Sequence, residues 1–116
     1  MQFKDNKPIF QQIAEHLCDE ILQGRYPEGE RLPSVREYAA EVEVNVNTLV
    51  RSYEWLSQKE IIFNRRGIGY FVGEGATETI RQMRREAFFQ ETLPDLFRQM
   101  QTLGITMNEI EKEYNS

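Results

Sequence analysis

The sequence predicts a mostly α-helical chain with one small β-hairpin, and three observations predict it. Apolar residues recur at helical spacing over most of the length. Ser34-x-x-Glu37 and Thr106-x-x-Glu109 are capping-box patterns that mark helix starts. Only around residues 61–72 does the period change, to short β-branched and aromatic runs flanking a glycine-bearing turn.

The first helix is predicted over 8–23. Pro8 suits a first helical position, Ile9, Ile13, Leu17 and Ile21 form an apolar stripe, and Gly24 is a stop. Gln12, His16 and Asp19 lie off that stripe, which makes His16 a surface residue; Cys18 is expected buried or half-buried. "GRYPEGERLP" holds two glycines and two prolines and reads as a loop. The capping box at Ser34 then opens a short helix, Val35 to about Glu41. After a tight turn Asn45 is an N-cap for a helix from Val46 to about Lys59, whose inward stripe is Leu49, Tyr53 and Leu56. Trp55, beside that stripe, reads as packing. Ile61–Phe63 and Tyr70–Val72 are the hairpin strands, and "NRRGIG" puts Arg65 and Arg66 at its tip.

Gly73-Glu74-Gly75 is read as a hinge, dividing the chain into 1–75 and an all-helical segment, 76–116. Ile80, Met83 and Ala87 begin one stripe there. Phe89, Leu93, Leu96, Met100 and Leu103 continue it with an offset near residue 88. Pro94 either kinks a long helix or opens a new one capped by Thr92. Gly104 ends that helix, and the second capping box starts the last one. A tail this short cannot cover its own stripe, so the stripe is expected to be a dimer seam.

The totals bound the function. At 116 residues one domain is the default. No run approaches the ~18 apolar residues of a membrane span, and the N-terminus has no signal-peptide pattern. A single Cys18 and a single His16 leave no internal disulfide, no metal cluster and no Ser-His-Asp set. A cytoplasmic protein that is not an enzyme and needs no metal or cofactor is expected. The net charge of −5 argues against nucleic acid, but it is uneven. Residues 31–70 carry six basic and five acidic side chains; the rest carries eight and fourteen.

Two helices joined by a tight turn and followed by an arginine-bearing hairpin outline a winged helix-turn-helix with a short helical dimerisation tail. A recognition helix enters the DNA major groove with its first turn against base edges, so that end must be polar and its far side apolar. Asn45, Asn47 and Thr48 are the entering end, and Arg51 lies one turn beyond Asn47. Arg65 and Arg66 reach phosphates or the minor groove, and Gly67 permits close backbone approach. "Gly67-x-Gly69" is too short for a dinucleotide fingerprint.

Residues 8–72, with "PIFQQI", "G-x-x-L-P-S-x-R", "V-N-x-N-T" and "G-I-G-Y-F-V", resemble the DNA-binding domain of GntR-family transcription regulators. The short tail with "LGITMNEI" is similar to the YtrA-like subgroup, which lacks a large effector domain. The resemblance implies a homodimer on a palindromic operator in double-stranded DNA, repression, and control of neighbouring transporter genes. It implies that Arg36 reaches the major groove, that Asn47 and Thr48 contact phosphates and bases, that Ser34 lies near the backbone and that Gly67 is the wing tip. The chain departs from the family pattern at Val46, where many relatives carry arginine, at Glu60, where many carry glycine, and at Tyr38, usually leucine. The bland alternatives are specific. Ser34 and Glu37 would cap a helix in any fold, Arg36 could pair with Glu37 or Glu41, and Arg65 and Arg66 could merely solubilise a hairpin. The rival function is a winged-helix protein-interaction module, motivated by the net acidity. A small-molecule effector would have to use the dimer region.

Overall fold

The computed structural model describes residues 1–3 and 6–116. Six α-helices and one hairpin follow in order: α1 Ile9–Leu22, α2 Val35–Val42, α3 Val46–Gln58, β1 Ile62–Arg65, β2 Gly69–Val72, α4 Ala76–Ala87, α5 Leu93–Leu103 and α6 Met107–Tyr114. They form two compact units, Met1–Ile80 and Arg81–Ser116.

In the first unit α1 buries Ile13, Ala14, Leu17, Cys18 and Ile21, while Ile9 at the head of the predicted stripe stays exposed. A spacing of four overshoots the 3.6-residue turn by about 40° each time, so the stripe winds off the core at one end. Pro8 is the N-cap, one residue outside the helix; its carbonyl accepts the N–H groups of Gln11 and Gln12. Helix α2 opens with both halves of the capping box formed. Helix α3 opens with the Asn45 side chain accepting the Asn47 N–H at 2.8 Å. α1 and α2 both pack on α3, burying Leu49, Tyr53 and Leu56. Ser52, also fully buried, donates its hydroxyl to the Phe10 carbonyl at 2.7 Å and ties α3 to the first turn of α1.

Both helix-to-turn exits here bend through left-handed backbone, at Glu43 (φ 58°) and Glu60 (φ 61°). Left-handed geometry crowds a Cβ and costs a non-glycine residue roughly 1–2 kcal/mol. That is a physical reason for glycine at the place where Glu60 stands. Glu60→Gly is expected to raise stability by about 0.5–1 kcal/mol, the relief being partly offset by a floppier unfolded chain. A chemical-denaturation midpoint that stays put or falls would contradict it.

The hairpin is longer than the apolar runs suggest. Arg65 pairs with Gly69 as the last rung of the strands, so the tip is Arg66, Gly67 and Ile68, and Arg65 is not part of it. Ile68 N–H donates to the Arg65 carbonyl at 2.9 Å, and Gly67 takes φ 79° as the third residue of that turn, the position a type II turn reserves for glycine. The segment expected as pure loop supplies a further pairing. Arg31 bridges Phe71 on the free edge of β2, with Leu32 N–H to the Tyr70 carbonyl at 2.8 Å and Val72 N–H to that of Glu30 at 2.9 Å.

The expected hinge at Gly73–Gly75 is tied down. Gly73 is buried and donates to the Ile61 carbonyl. The Glu28 carboxylate accepts the Gly75 and Thr77 N–H groups at 2.7 and 3.1 Å, capping α4 from 47 residues away. Ala76 and Ile80 are fully buried, and the boundary between the units falls inside α4.

In the second unit the helical backbone runs unbroken from α4 into α5 through a π-helical turn, Phe88–Thr92. Thr92 has helical angles and makes no capping bond, so Pro94 does not open a new capped helix. In α geometry the proline ring would strike the carbonyl four residues back, and its missing N–H would orphan that group. The wider turn, in which Leu93 N–H reaches back five residues to the Phe88 carbonyl, accommodates it. The extra residue in that turn accounts for the offset of the apolar pattern near residue 88. Gly104 ends α5 at φ 67°, and Thr106 and Glu109 form the second capping box.

Candidate nucleic-acid interface

The first turn of α3 is built as an exposed polar end on a buried helix. Asn45 spends its side-chain oxygen on capping, which fixes the entry of the chain. Asn47 is exposed, Thr48 is half-buried, and the carbonyl of Thr48 accepts the Ser52 hydroxyl at 3.2 Å. One turn on, Arg51 lies exposed with its guanidinium 4.4 Å from the Phe10 ring centre. Stacking on an aromatic from α1 restrains a side chain that the sequence places simply on the outer face.

On α2, Ser34 and Glu37 satisfy each other. Ser34 Oγ accepts the Glu37 N–H at 3.1 Å, and the Ser34 N–H donates to the Glu37 carboxylate at 2.9 Å. Arg36, next along and exposed, pairs with neither candidate acid. Glu37 is held by Ser34, and Glu41 takes both guanidinium nitrogens of Arg25 at 2.8 Å.

Below this surface lies a network the sequence did not reveal. Glu20, 7% exposed, accepts the Tyr38 hydroxyl and an Arg25 N–H, with His16 Nε2 3.6 Å away. Arg25 therefore clamps the end of α1 to α2. Burial, then the hydrogen bond to Glu20, drives the Tyr38 phenol pKa well above its ordinary range. Glu20 supplies the partner that lets a tyrosine hydroxyl be buried at 38.

On the wing, Arg65 stacks over Phe71 at 4.5 Å, while Arg66 and Gly67 occupy the exposed corners of the turn. Tyr53 joins wing and helices, with its ring edge-on to Tyr70 at 4.8 Å and its hydroxyl donating to the Pro33 carbonyl at 2.8 Å. The described surface thus brings Ser34, Arg36, Asn45, Asn47, Thr48, Arg51, Arg65, Arg66 and Gly67 into one compact unit. Arg31 also lies in this unit, and beyond its charge the sequence does not single it out.

Two carboxyls hold this frame at their own cost in acid. Backbone N–H donation from Ser34, then the Ser34 hydroxyl, with a smaller contribution from Arg31, keeps Glu37 below the ordinary carboxyl pKa of 4.5. Gly75 and Thr77 do the same for Glu28. A depressed folded-state pKa contributes stability above the unfolded value and loses it as pH falls through the folded one. Stability should therefore decline below pH 4.5. That part of the decline should be shallower in Glu28→Gln and Glu37→Gln. Parallel denaturation curves for all three proteins between pH 6 and 3 would refute it.

In the second unit, Phe89, Leu96 and Leu103 of the predicted seam are exposed and Leu93 is half-buried, but Met100 is only 7% exposed. Met100 is already covered within the chain and does not belong to an open seam. Phe88 and Phe97, off the predicted stripe, are exposed as well. Among the described residues no helix is long and apolar enough to cross a membrane, and no cluster of metal ligands occurs.

Residues 9–72 match the family model for bacterial regulatory proteins of the gntR family. The chain is 36% identical over 109 residues to the HTH-type transcriptional regulator YhcF of Bacillus subtilis, covering 94% of this chain and 88% of that one. It is 35% identical over 77 residues to the HTH-type transcriptional repressor YtrA of the same organism, covering 66% of this chain and 59% of YtrA. Among solved structures, a GntR-family protein from Bacteroides thetaiotaomicron superposes with a TM-score of 0.81 at 51% identity, over 93% of this chain and 94% of that one.

Proposed function

The chain belongs to the GntR family of bacterial regulatory proteins, and from that membership we propose that it is a homodimeric repressor that binds a palindromic operator through its winged helix-turn-helix. The observation that carries the reading is the polarity of α3. Asn47 and Arg51 are exposed while Leu49, Tyr53 and Leu56 are fully buried, as a helix that inserts its first turn into a groove requires. The open apolar residues of the second unit, Phe88, Phe89, Leu96, Phe97 and Leu103, support a homodimer, because soluble surfaces seldom leave such a set uncovered. Two-fold pairing supports an operator of matching symmetry. Similarity to a repressor, YtrA, supports the sign of regulation. Likeness to the YtrA-like subgroup extends the proposal to transporter genes beside its own.

The test is fluorescence anisotropy with promoter DNA from next to its own gene over a range of salt. Arg36, Arg51, Arg65 and Arg66, doubled in a dimer, should engage on the order of 6–8 phosphates, for a log–log slope of roughly −5 to −7. A slope near zero would mean that the arginines do not face the backbone. No binding even at low salt would favour the protein-interaction module.

A further inference from the structure

We propose that Arg31 is an additional DNA contact, holding a backbone phosphate at the foot of the wing; the inference rests on the DNA-binding reading above. The backbone of Arg31 is fixed, because its bridge to Phe71 is flanked by the Leu32–Tyr70 and Glu30–Val72 hydrogen bonds. Directly opposed residues of an antiparallel ladder share a face. Arg31, Phe71 and Phe63 therefore share one, and Arg65 and Gly69, two places along, lie on it too. The alternate positions Ile62 and Val72 are buried on the other side. Two guanidinium groups thus stand on the outward face of the wing.

Each is laid flat by what is beneath it. Arg65 rests on the Phe71 ring. Arg31 crosses Gly69, where a Cβ would come within 3.0 Å of its Nε. Glycine at 69 answers to its φ of 140°, and the bare backbone there lets the Arg31 guanidinium pass close over it. Arg31 is exposed and has no hydrogen-bond or ion-pair partner among the described residues. A guanidinium with its stem already restrained and its N–H fork unspent loses little freedom on gripping a phosphate in two-pronged fashion. Its root on the edge of the wing strand β2, outside the recognition helix, suits the sugar–phosphate backbone and not a base edge. Such contacts set position and carry no sequence information.

Binding of operator DNA should be measured against salt for the wild-type protein, Arg31→Gln and Arg31→Lys. Arg31→Gln keeps the stem and the backbone pairing. It should weaken the operator and its single-base variants alike, by about tenfold. It should also make the log–log slope shallower by about 0.9 per protomer, or roughly 2 for a dimer. Arg31→Lys should retain the slope. Unchanged affinity and slope in Arg31→Gln, with the wild type binding normally, would overturn the proposal and leave the DNA-binding reading intact. Loss of binding with an unchanged slope would also overturn it, by showing that Arg31 only shapes the wing. A wild-type protein that binds none of these DNAs would overturn both readings.

Discussion

Glutamate at both Phe89 and Leu96 should leave the chain folded but monomeric, and should cost the operator complex about two orders of magnitude in affinity. Both side chains are exposed, at 56% and 37%, so charge there displaces nothing from a packed interior. Charge in a seam is different, because two copies would have to bury facing carboxylates without partners. The affinity loss follows from the proposed symmetry. In a dimer the second winged unit meets its half-site as an intramolecular partner, which multiplies affinity by about 10²–10⁴. Separate monomers forfeit that factor with every DNA contact intact. Met100→Glu serves as the contrast. With 7% exposure it should unfold the second unit outright. Sedimentation equilibrium reads the first outcome and anisotropy the second. A Phe89→Glu/Leu96→Glu protein that still sediments as a dimer would place the seam elsewhere.

The second large effect should separate helix from wing. Arg36 stands exposed beside the α2 cap, with neither neighbouring acid paired to it, so its five donors are free to meet a base edge. Arginine matches guanine O6 and N7, and asparagine matches adenine N6 and N7. Arg36→Ala should cost about 1–3 kcal/mol per half-site and relax preference at one operator position. Asn47 is expected to read a neighbouring base or hold a phosphate. Arg66, at the corner of an exposed turn, should grip the backbone or minor groove, so Arg66→Ala should weaken good and poor sites nearly alike. Binding curves over all single-base operator changes decide it. A uniform loss from Arg36→Ala together with altered preference from Arg66→Ala would reverse the roles.

The residues invoked in these two experiments were legible to different degrees. Arg36, Asn45 and Asn47 are placed by helix starts, and a helix start depends on residues two or three apart. Arg31 had no comparable signal. Its position depends on Phe71, 40 residues later, arriving beside it. Met100 was misplaced for a related reason. Spacing identifies the face of a helix that is apolar, but not which part of that face the chain itself covers.

What the sequence determined by itself is the set of local events. The two capping boxes, the Asn45 cap, the apolar side of α3, that of α1 beyond Ile9, and the wing turn at Gly67 formed where short-range chemistry placed them. Even the π-turn left its mark, as a slip in apolar spacing ahead of Pro94. The tertiary structure decided what depends on two distant segments meeting. Glu28 caps α4, Tyr38 finds Glu20, Arg51 finds Phe10 and residues 30–32 join the free edge of β2. Nothing within a few residues of Glu28 or Arg31 distinguishes them from any exposed charge in a loop. Their partners are supplied by chain closure, and closure is governed by burial of the whole core, to which each of these side chains contributes little.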